Sequence, residues 1–322
     1  MSDYVLQVKD LDVHYFTDAG IIEAANKVSF NLRPGERLGL VGESGSGKST
    51  TALGILRMIK SPGRIAGGEV LLDGIDLTKI SEEEMRLVRG SQVSMVPQGA
   101  MNSLNPVLRI NDQIMDAMID HGLNISKAEM RERAAKALQA VELDPRIGEM
   151  YPHELSGGMK QRACIAISIV MSPKVIIADE PTSALDVITQ RQVMQTIGNL
   201  QERMGSAVIL IGHDMGLMAQ FVDRLAVMYA GRLVEIGTVK HMFTDPLHPY
   251  TRLLIESLPR LDAKGEFHGI PGITPSLLEL PPGCVFNTRC PQAMELCSQR
   301  IPRILNKGSE RQVACHLYEN GV

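Results

Sequence analysis

The sequence lacks several features, and some of these absences exclude a class of protein. It contains no tryptophan, and only 4% of its 322 residues are aromatic. No apolar run approaches the ~18 residues that a membrane-spanning helix needs. With 33 basic and 37 acidic residues, the formal charge of −4 gives no reason to expect nucleic acid as a partner. No secretion signal precedes the first strand-like segment, so we expect a cytoplasmic chain that reaches a membrane only through partners.

Cysteine is also scarce until the end of the chain. Cys164 is the only cysteine before Cys284, and four follow from there. Structural disulfides are rare in the cytoplasm, so a late cluster of this kind predicts a metal site or redox chemistry. At 322 residues the chain exceeds what one core usually holds, which predicts one large domain and a smaller appendage.

A phosphate-binding loop stands after a short apolar strand, "RLGLV", at residues 37–41. The loop reads "GESGSGKST" and fits the spacing GxxxxGK[ST], with a helix following it. Its glycines let backbone amides surround phosphates, Lys48 supplies a cation, and the Ser49 hydroxyl can bind Mg²⁺. The pattern predicts a nucleoside triphosphate site. Its predicted binding residues are Gly42, Ser44, Gly45, Gly47, Lys48, Ser49 and Thr50.

A second apolar strand, "KVIIADEP", ends in two carboxylates. Asp179 is placed to hold Mg²⁺ through water, and Glu180 can polarise the water that attacks the γ-phosphate. Such a strand end is a weak signal alone but becomes strong together with a phosphate loop. We therefore predict Glu180 and Lys48 as catalytic residues.

A further segment, "ELSGGMKQR", predicts a second helix start suited to anions, at Ser156, Gly157 and Gly158. A domain with one phosphate loop does not need another such terminus for the same nucleotide. The segment therefore predicts that this helix serves the nucleotide of another subunit.

The fold class expected from the pattern is α/β. Strands "VIIAD", "AVILIG" and "RLAVMY" alternate with helical segments, which is typical of a parallel sheet. A mostly helical subdomain is expected over about 103–158, in which Ser126 and Glu129 fit a capping box. We place a domain boundary near residue 245, where proline becomes frequent, and predict a loop-rich module over 246–322.

These motifs together resemble the ATP-binding cassette (ABC) family, whose "LSGGQ" signature caps the ATP of the opposing subunit. Met159 stands here at the fifth position instead of glutamine. The resemblance implies that Tyr15 stacks on adenine, that Gln98 senses Mg²⁺ and the membrane subunit, and that His213 is a catalytic residue that contacts the γ-phosphate. It also implies a RecA-like core with an antiparallel β subdomain, and a D-loop at "SALD".

The four late cysteines are spaced Cys284-x5-Cys290-x6-Cys297-x17-Cys315. The paired CxxC motifs that are typical of zinc ribbons are missing. The spacing alone therefore does not decide between zinc, an iron–sulfur cluster and free core thiols. The flanking segments "HPYT" and "PPGCVFNTRC" resemble the extension of D-type ATP-binding subunits of dipeptide and oligopeptide permeases. That resemblance implies a [4Fe–4S] cluster on the four cysteines. Cys164 lies within an apolar helical segment and is predicted to be a packed small hydrophobe.

The resemblance implies an ATPase that powers a membrane importer, most simply for peptides. Its expected partners are a second ATPase subunit, two permease subunits and, indirectly, an extracytoplasmic substrate-binding protein, at the cytoplasmic face of the inner membrane. Nickel chelates and oligosaccharides are alternative cargoes. A soluble redox-regulated ABC ATPase is a further alternative. DNA-repair and translation ATPases of this family generally carry coiled-coil insertions or paired cassettes, which this sequence lacks.

Overall fold

The computed structural model describes residues 3–99, 102–183, 185–258, 269–308 and 310–319. The chain divides into two compact units. Unit 1 comprises Met1–Leu6, Leu32–Arg37 and Leu71–Ile211, and unit 2 comprises Gln7–Asn31, Leu38–Val70 and Gly212–Val322.

The strands, in chain order, are β1 (Leu6–Thr17), β2 (Gly20–Leu32), β3 (Arg37–Val41), β4 (Gly63–Leu72), β5 (Ile75–Asp76), β6 (Val93–Val96), β7 (Val175–Asp179), β8 (Ala207–Gly212), β9 (Arg224–Tyr229), β10 (Arg232–Thr238), β11 (Ile304–Asn306) and β12 (Gln312–Ala314). The α-helices are α1 (Lys48–Ile55), α2 (Glu82–Val88), α3 (Ile110–Asp120), α4 (Lys127–Ala140), α5 (Gly157–Ile169), α6 (Val187–Met204), α7 (Met215–Met218), α8 (Val239–Thr244) and α9 (Pro249–Glu256). None of the helices in the described part of the chain is long and apolar enough to cross a membrane.

Unit 1 has a parallel core. β7 lies between β6 and β8, with Val175 opposite Val93 on one side and Ala207 on the other. Every residue of β7 is buried, as expected for a strand covered on both faces. The parallel sheet predicted from the sequence is therefore confirmed for β7 and β8.

Unit 1 also contains a group of packed helices. α3, α4 and α5 pack against one another, and a 3₁₀ turn at Pro145–Glu149 packs on α3 and α4. Ser126 caps α4 by accepting the Glu129 N–H at 3.2 Å. The Glu129 carboxylate itself pairs with Arg133, one turn along the helix. The N-cap prediction is thus correct for the serine.

In unit 2, β3 runs parallel to β9, and β9 forms an antiparallel hairpin with β10. The hairpin turns at Ala230 and Gly231, both of which have positive φ. This is the geometry of a two-residue hairpin turn. The late part of the chain extends the same sheet, because β12 pairs with β10 and β11 pairs with β12. In the second sheet β2, β1 and β4 follow one another in that order.

Candidate functional site

The phosphate loop follows β3 in unit 2, as predicted. Gly42 and Gly47 have φ values of 149° and 96°. A Cβ on Gly42 would lie 2.1 Å from the Met228 carbonyl oxygen, and one on Gly47 would lie 2.1 Å from the Ala24 carbonyl oxygen. No side chain fits at either position, so the backbone path of the loop requires glycine.

Lys48 starts helix α1, so the predicted helix begins within the motif itself. Its side chain is buried, and Nζ donates to the carbonyl oxygens of Gly42 and Glu43, each at 2.9 Å. The ammonium group therefore lies inside the curve of the loop. A cation in that position, with the N-terminus of a helix beside it, is suited to bind phosphate.

Sequence reasoning missed an ionic contact of this loop. The Glu43 carboxylate accepts two bonds from the Arg289 guanidinium, from Nη1 to Oε2 at 2.8 Å and from Nη2 to Oε1 at 3.1 Å. Burial alone would raise the pKa of Glu43. Hydrogen bonds from Arg289 and Thr274, with the charges of Arg289 and Lys48, lower the pKa below its ordinary value. Glu43 is thus a fixed anion within the loop.

In unit 1 the predicted carboxylates lie at the end of β7. Asp179 is the last strand residue and is buried, and Glu180 follows with a φ of 44°. Positive φ is uncommon for a side-chain residue and concentrates at functional sites. Gln98 Nε2 donates to Glu180 Oε2 at 2.8 Å, so the residue predicted to polarise water and the residue predicted to sense Mg²⁺ are in contact.

The signature segment begins helix α5. The Ser156 hydroxyl accepts the Met159 N–H at 3.3 Å and caps the helix. Ser156 and Gly157 are exposed, so the helix start faces outward. A Cβ on Gly158 would lie 2.6 Å from the Thr189 Cγ2 atom of α6, so this glycine is needed for close packing.

The remaining predicted site residues fall in both units. In unit 1, Asp186 ends the predicted D-loop and caps α6 by accepting the N–H groups of Ile188 and Thr189; Ala184 of that loop lies outside the described residues. In unit 2, His213 is exposed directly after β8, and Tyr15 is half-buried on β1. The Tyr15 ring lies against Gly63, where a Cβ would be 2.6 Å from its Cε1 atom.

The four late cysteines lie in unit 2 and are free thiols. Burial raises the pKa of Cys284 to about 11 and that of Cys315 to about 12, and the neighbouring cysteines add to both shifts. Cys297 Sγ accepts the Met294 N–H at 3.4 Å. Within the described residues, however, no group of three or more His, Cys, Asp or Glu side chains is arranged to hold a metal ion. The predicted cluster therefore finds no support in this geometry.

Cys164 has the environment predicted for it. It is buried in α5, and burial raises the pKa of its thiol to about 11. Its sulfur lies 3.8 Å from the Ser103 hydroxyl oxygen. A protonated thiol in an apolar helix packs as a small hydrophobe.

Known proteins resemble the chain over almost its full length. Residues 25–183 match the family described as "ABC transporter", and residues 234–297 match "Oligopeptide/dipeptide transporter, C-terminal region". The "Oligopeptide transport ATP-binding protein OppD" of Escherichia coli (strain K12) is 45% identical over 94% of this chain and 90% of that protein. The "Oligopeptide transport ATP-binding protein AppD" of Bacillus subtilis (strain 168) is 44% identical over 98% of this chain and 97% of that protein.

Among solved structures, a bacterial ABC transporter cassette determined as a dimer matches with a TM-score of 0.66 and 30% identity, over 73% of this chain and 98% of that one. The cassette fold predicted from the sequence is thereby confirmed. Together with the phosphate loop and the contact between Gln98 and Glu180, these similarities show that the chain is an ATPase of the ABC transporter family.

Proposed function

We propose that this chain is the ATP-hydrolysing subunit of a membrane importer for dipeptides or oligopeptides. The observation that carries the hydrolytic part is the contact of Gln98 with Glu180, next to the buried Asp179. The peptide assignment is supported by the C-terminal family match and by relatives whose names state oligopeptide transport. Residues 1–245 carry the nucleotide chemistry in this proposal, and residues 246–322 form the C-terminal module.

Each predicted residue takes a role in binding or hydrolysis. Lys48 and the amides of the phosphate loop bind the phosphates, and Tyr15 stacks on the adenine. Glu180 orients the attacking water, while His213 contacts the γ-phosphate. Ser49, Gln98 and Asp179 would hold Mg²⁺, which neutralises charge that develops on the phosphates.

A second ATPase subunit completes each site in this proposal. The outward-facing start of α5, at Ser156 and Gly157, supports this because its N–H groups can reach a nucleotide held by another chain. In this proposal the second subunit also covers Val187 and Ile188, adjacent apolar residues at the start of α6 that are 79% and 74% exposed. Two permease subunits would bind beside Gln98 at the cytoplasmic face of the membrane, and a substrate-binding protein would deliver cargo to them.

The substitution Glu180→Gln tests the hydrolytic role. It keeps the size of the side chain but removes the carboxylate that polarises water. We expect ATP binding close to wild type and a loss of at least 100-fold in turnover, since general-base contributions are typically 10²–10⁴-fold. Glu132→Gln, on the exposed face of α4, is the matched control and should hydrolyse ATP normally. Wild-type turnover in Glu180→Gln would refute the assignment.

Transport in reconstituted vesicles, with the permeases and binding protein present, tests the cargo. Peptide-dependent ATP hydrolysis would support the proposal. Stimulation of ATP hydrolysis only by nickel chelates or oligosaccharides would change the assigned cargo and leave the ATPase assignment unchanged. Activity that is unaffected by permeases but changes with oxidation would favour the soluble redox-regulated alternative.

We further propose that the four cysteines bind a [4Fe–4S] cluster. The chemistry of the donors supports this, because thiolates are the ligands of such clusters and N–H donors to sulfur tune them. Zinc is the alternative for four thiolates. Iron, acid-labile sulfide and zinc should be measured in protein purified without oxygen. About four irons and four sulfides per chain are expected for a cluster. One zinc without sulfide, or no metal at all, would reject it.

A further inference from the structure

Arg289 supplies the ionic contact between the C-terminal module and the phosphate loop, beside hydrogen bonds of Glu43 with Thr274 and Tyr250. Arg289 directly precedes Cys290, and its side chain is only 4% exposed. Its guanidinium forms the two-bond pair with Glu43 described above. Both residues belong to unit 2, although 246 positions separate them in the chain.

Neighbouring groups hold the Arg289 side chain in one position. Nε donates to the Pro271 carbonyl oxygen at 2.8 Å, and Nη1 donates to the Tyr229 hydroxyl at 3.2 Å. Further bonds reach the Thr274 hydroxyl and the Ile270 carbonyl oxygen, each at 3.3 Å. Because the guanidinium has five N–H donors in a rigid plane, these bonds fix its orientation toward the carboxylate.

Glu43 is held at its backbone as well as at its carboxylate. Its N–H donates to the Tyr250 hydroxyl of α9 at 3.0 Å. Its carbonyl oxygen accepts the Ser46 N–H at 3.2 Å and Lys48 Nζ at 2.9 Å. Glu43 is therefore one of the residues that position the cation of the loop, because its carbonyl oxygen accepts a bond from Lys48 Nζ.

We propose that Arg289 is a positioning residue for ATP: through Glu43, the C-terminal module holds the phosphate loop in the shape that binds nucleotide. The spacing GxxxxGK[ST] requires no acid at the second position, so the chemistry of the motif does not account for Glu43. A carboxylate at that position places a negative charge close to bound phosphates. Pairing with Arg289 neutralises this charge, which gives the arginine a second effect on affinity.

The inference predicts that nucleotide affinity depends on the C-terminal module. In the full-length chain, Arg289→Ala should weaken binding of a fluorescent ATP analogue about tenfold and raise the KM for ATP with a smaller change in kcat. Arg289→Lys should recover only part of the affinity, because one ammonium cannot make the two-bond contact. Arg300→Ala is the matched control, since Arg300 also pairs with a glutamate of the module, Glu319. It should bind nucleotide like wild type.

Glu43→Gln tests the same contact from the loop side. Because Arg289 and Glu43 act through one interaction, the double variant should bind ATP no more weakly than the weaker single variant. Hydrogen exchange supplies a second measurement: the amides of residues 43–46 should exchange faster in Arg289→Ala than in Arg300→Ala. A purely structural role would lower the melting temperature without selectively exposing those amides.

Two results would overturn the inference. The first is an unchanged ATP affinity in folded Arg289→Ala, or in Arg289→Lys if the alanine variant does not fold. The second is an equal loss of affinity in Arg300→Ala, which would indicate general loosening of the module. Neither result depends on the transported substrate, so the inference can fail while the proposed importer function stands.

Discussion

The tight contact between the signature helix and α6 makes Gly158→Ala a sharp test of the packing. The added Cβ would lie 2.6 Å from Thr189 Cγ2, closer by roughly 1 Å than an ordinary carbon contact. Thr189 cannot rotate away freely, because its hydroxyl and its N–H both donate to Asp186, at 2.6 and 3.0 Å. Either the helix start or α6 must move.

The expected magnitude follows from two opposing effects. Overpacking costs about 1–3 kcal/mol, while replacing glycine by alanine in a helix contributes up to about 1 kcal/mol. Gly158→Ala should therefore reduce the free energy of unfolding by about 1–2 kcal/mol, measured by urea denaturation. It should also slow ATP hydrolysis, because the displaced segment includes the Ser156 cap.

Thr189→Ser supplies the matched rescue for this prediction. Serine removes the Cγ2 methyl group but keeps the hydroxyl that bonds to Asp186. The double variant Gly158→Ala/Thr189→Ser should return to wild-type stability or exceed it, since the helix propensity of alanine then acts unopposed. A single variant Gly158→Ala that is more stable than wild type, or a double variant without rescue, would refute the reasoning.

Two further predictions concern unit 2. Gly47→Ala should weaken ATP binding more than 100-fold, because its Cβ would meet the Ala24 carbonyl oxygen at 2.1 Å. Gly45 has a φ of 76°, which strains alanine, but no atom lies within 4 Å of its Cβ, so Gly45→Ala should bind less than tenfold more weakly by the same fluorescence titration. Burial raises the pKa of Glu319, but bonds from the Arg303 N–H, His316 and Arg300 outweigh it and lower the pKa from 4.5 to about 2. The carboxylate therefore stabilises the fold above pH 4.5, and this contribution is lost as the pH falls toward 2. Glu319→Gln should melt below wild type at pH 7, and the difference should shrink with acidification; a constant difference would contradict the pKa assignment.

The phosphate loop and its strand could be predicted because the information is local. The spacing of Gly42, Gly47 and Lys48 reports a backbone path that only glycine follows, and the structure shows the contacts that impose it. The same holds for the Ser156 and Ser126 caps, which act on residues three positions away. Such features depend on neighbours in the chain and leave a pattern in the sequence.

The contact between Gln98 and Glu180 could be predicted only in part. Glu180 was assigned to hydrolysis from its strand end, and Gln98 was assigned to Mg²⁺ and the membrane subunit from family resemblance. The bond between them crosses 82 positions. Neither local pattern predicts that the two side chains are in contact or that Glu180 has a positive φ.

The tail was the least predictable part. β11 and β12 have three residues each, too short for a visible alternation of polar and apolar residues. Their pairing with β10 depends on the sheet already being present. The acid in "GESGSGKST" and the arginine before Cys290 were both visible, but charges at such a separation carry no periodic signal that would pair them.

The contact between Arg289 and Glu43 is better explained by geometry than by stability. A buried ion pair is often no more stabilising than apolar residues of the same size, since removing two charges from water offsets their attraction. Stability at this place has another source: Tyr229, Tyr250 and Phe286 pack with ring centroids 4.6–5.3 Å apart, and such pairs contribute about 0.5–1.5 kcal/mol beyond burial. The aromatic cluster holds the module against the sheet, while the ion pair fixes the direction of one loop carboxylate. A hydrophobic pair in place of Arg289 and Glu43 could add stability in the same way, but it could not fix the direction of a loop carboxylate. The charged residues therefore point to nucleotide binding.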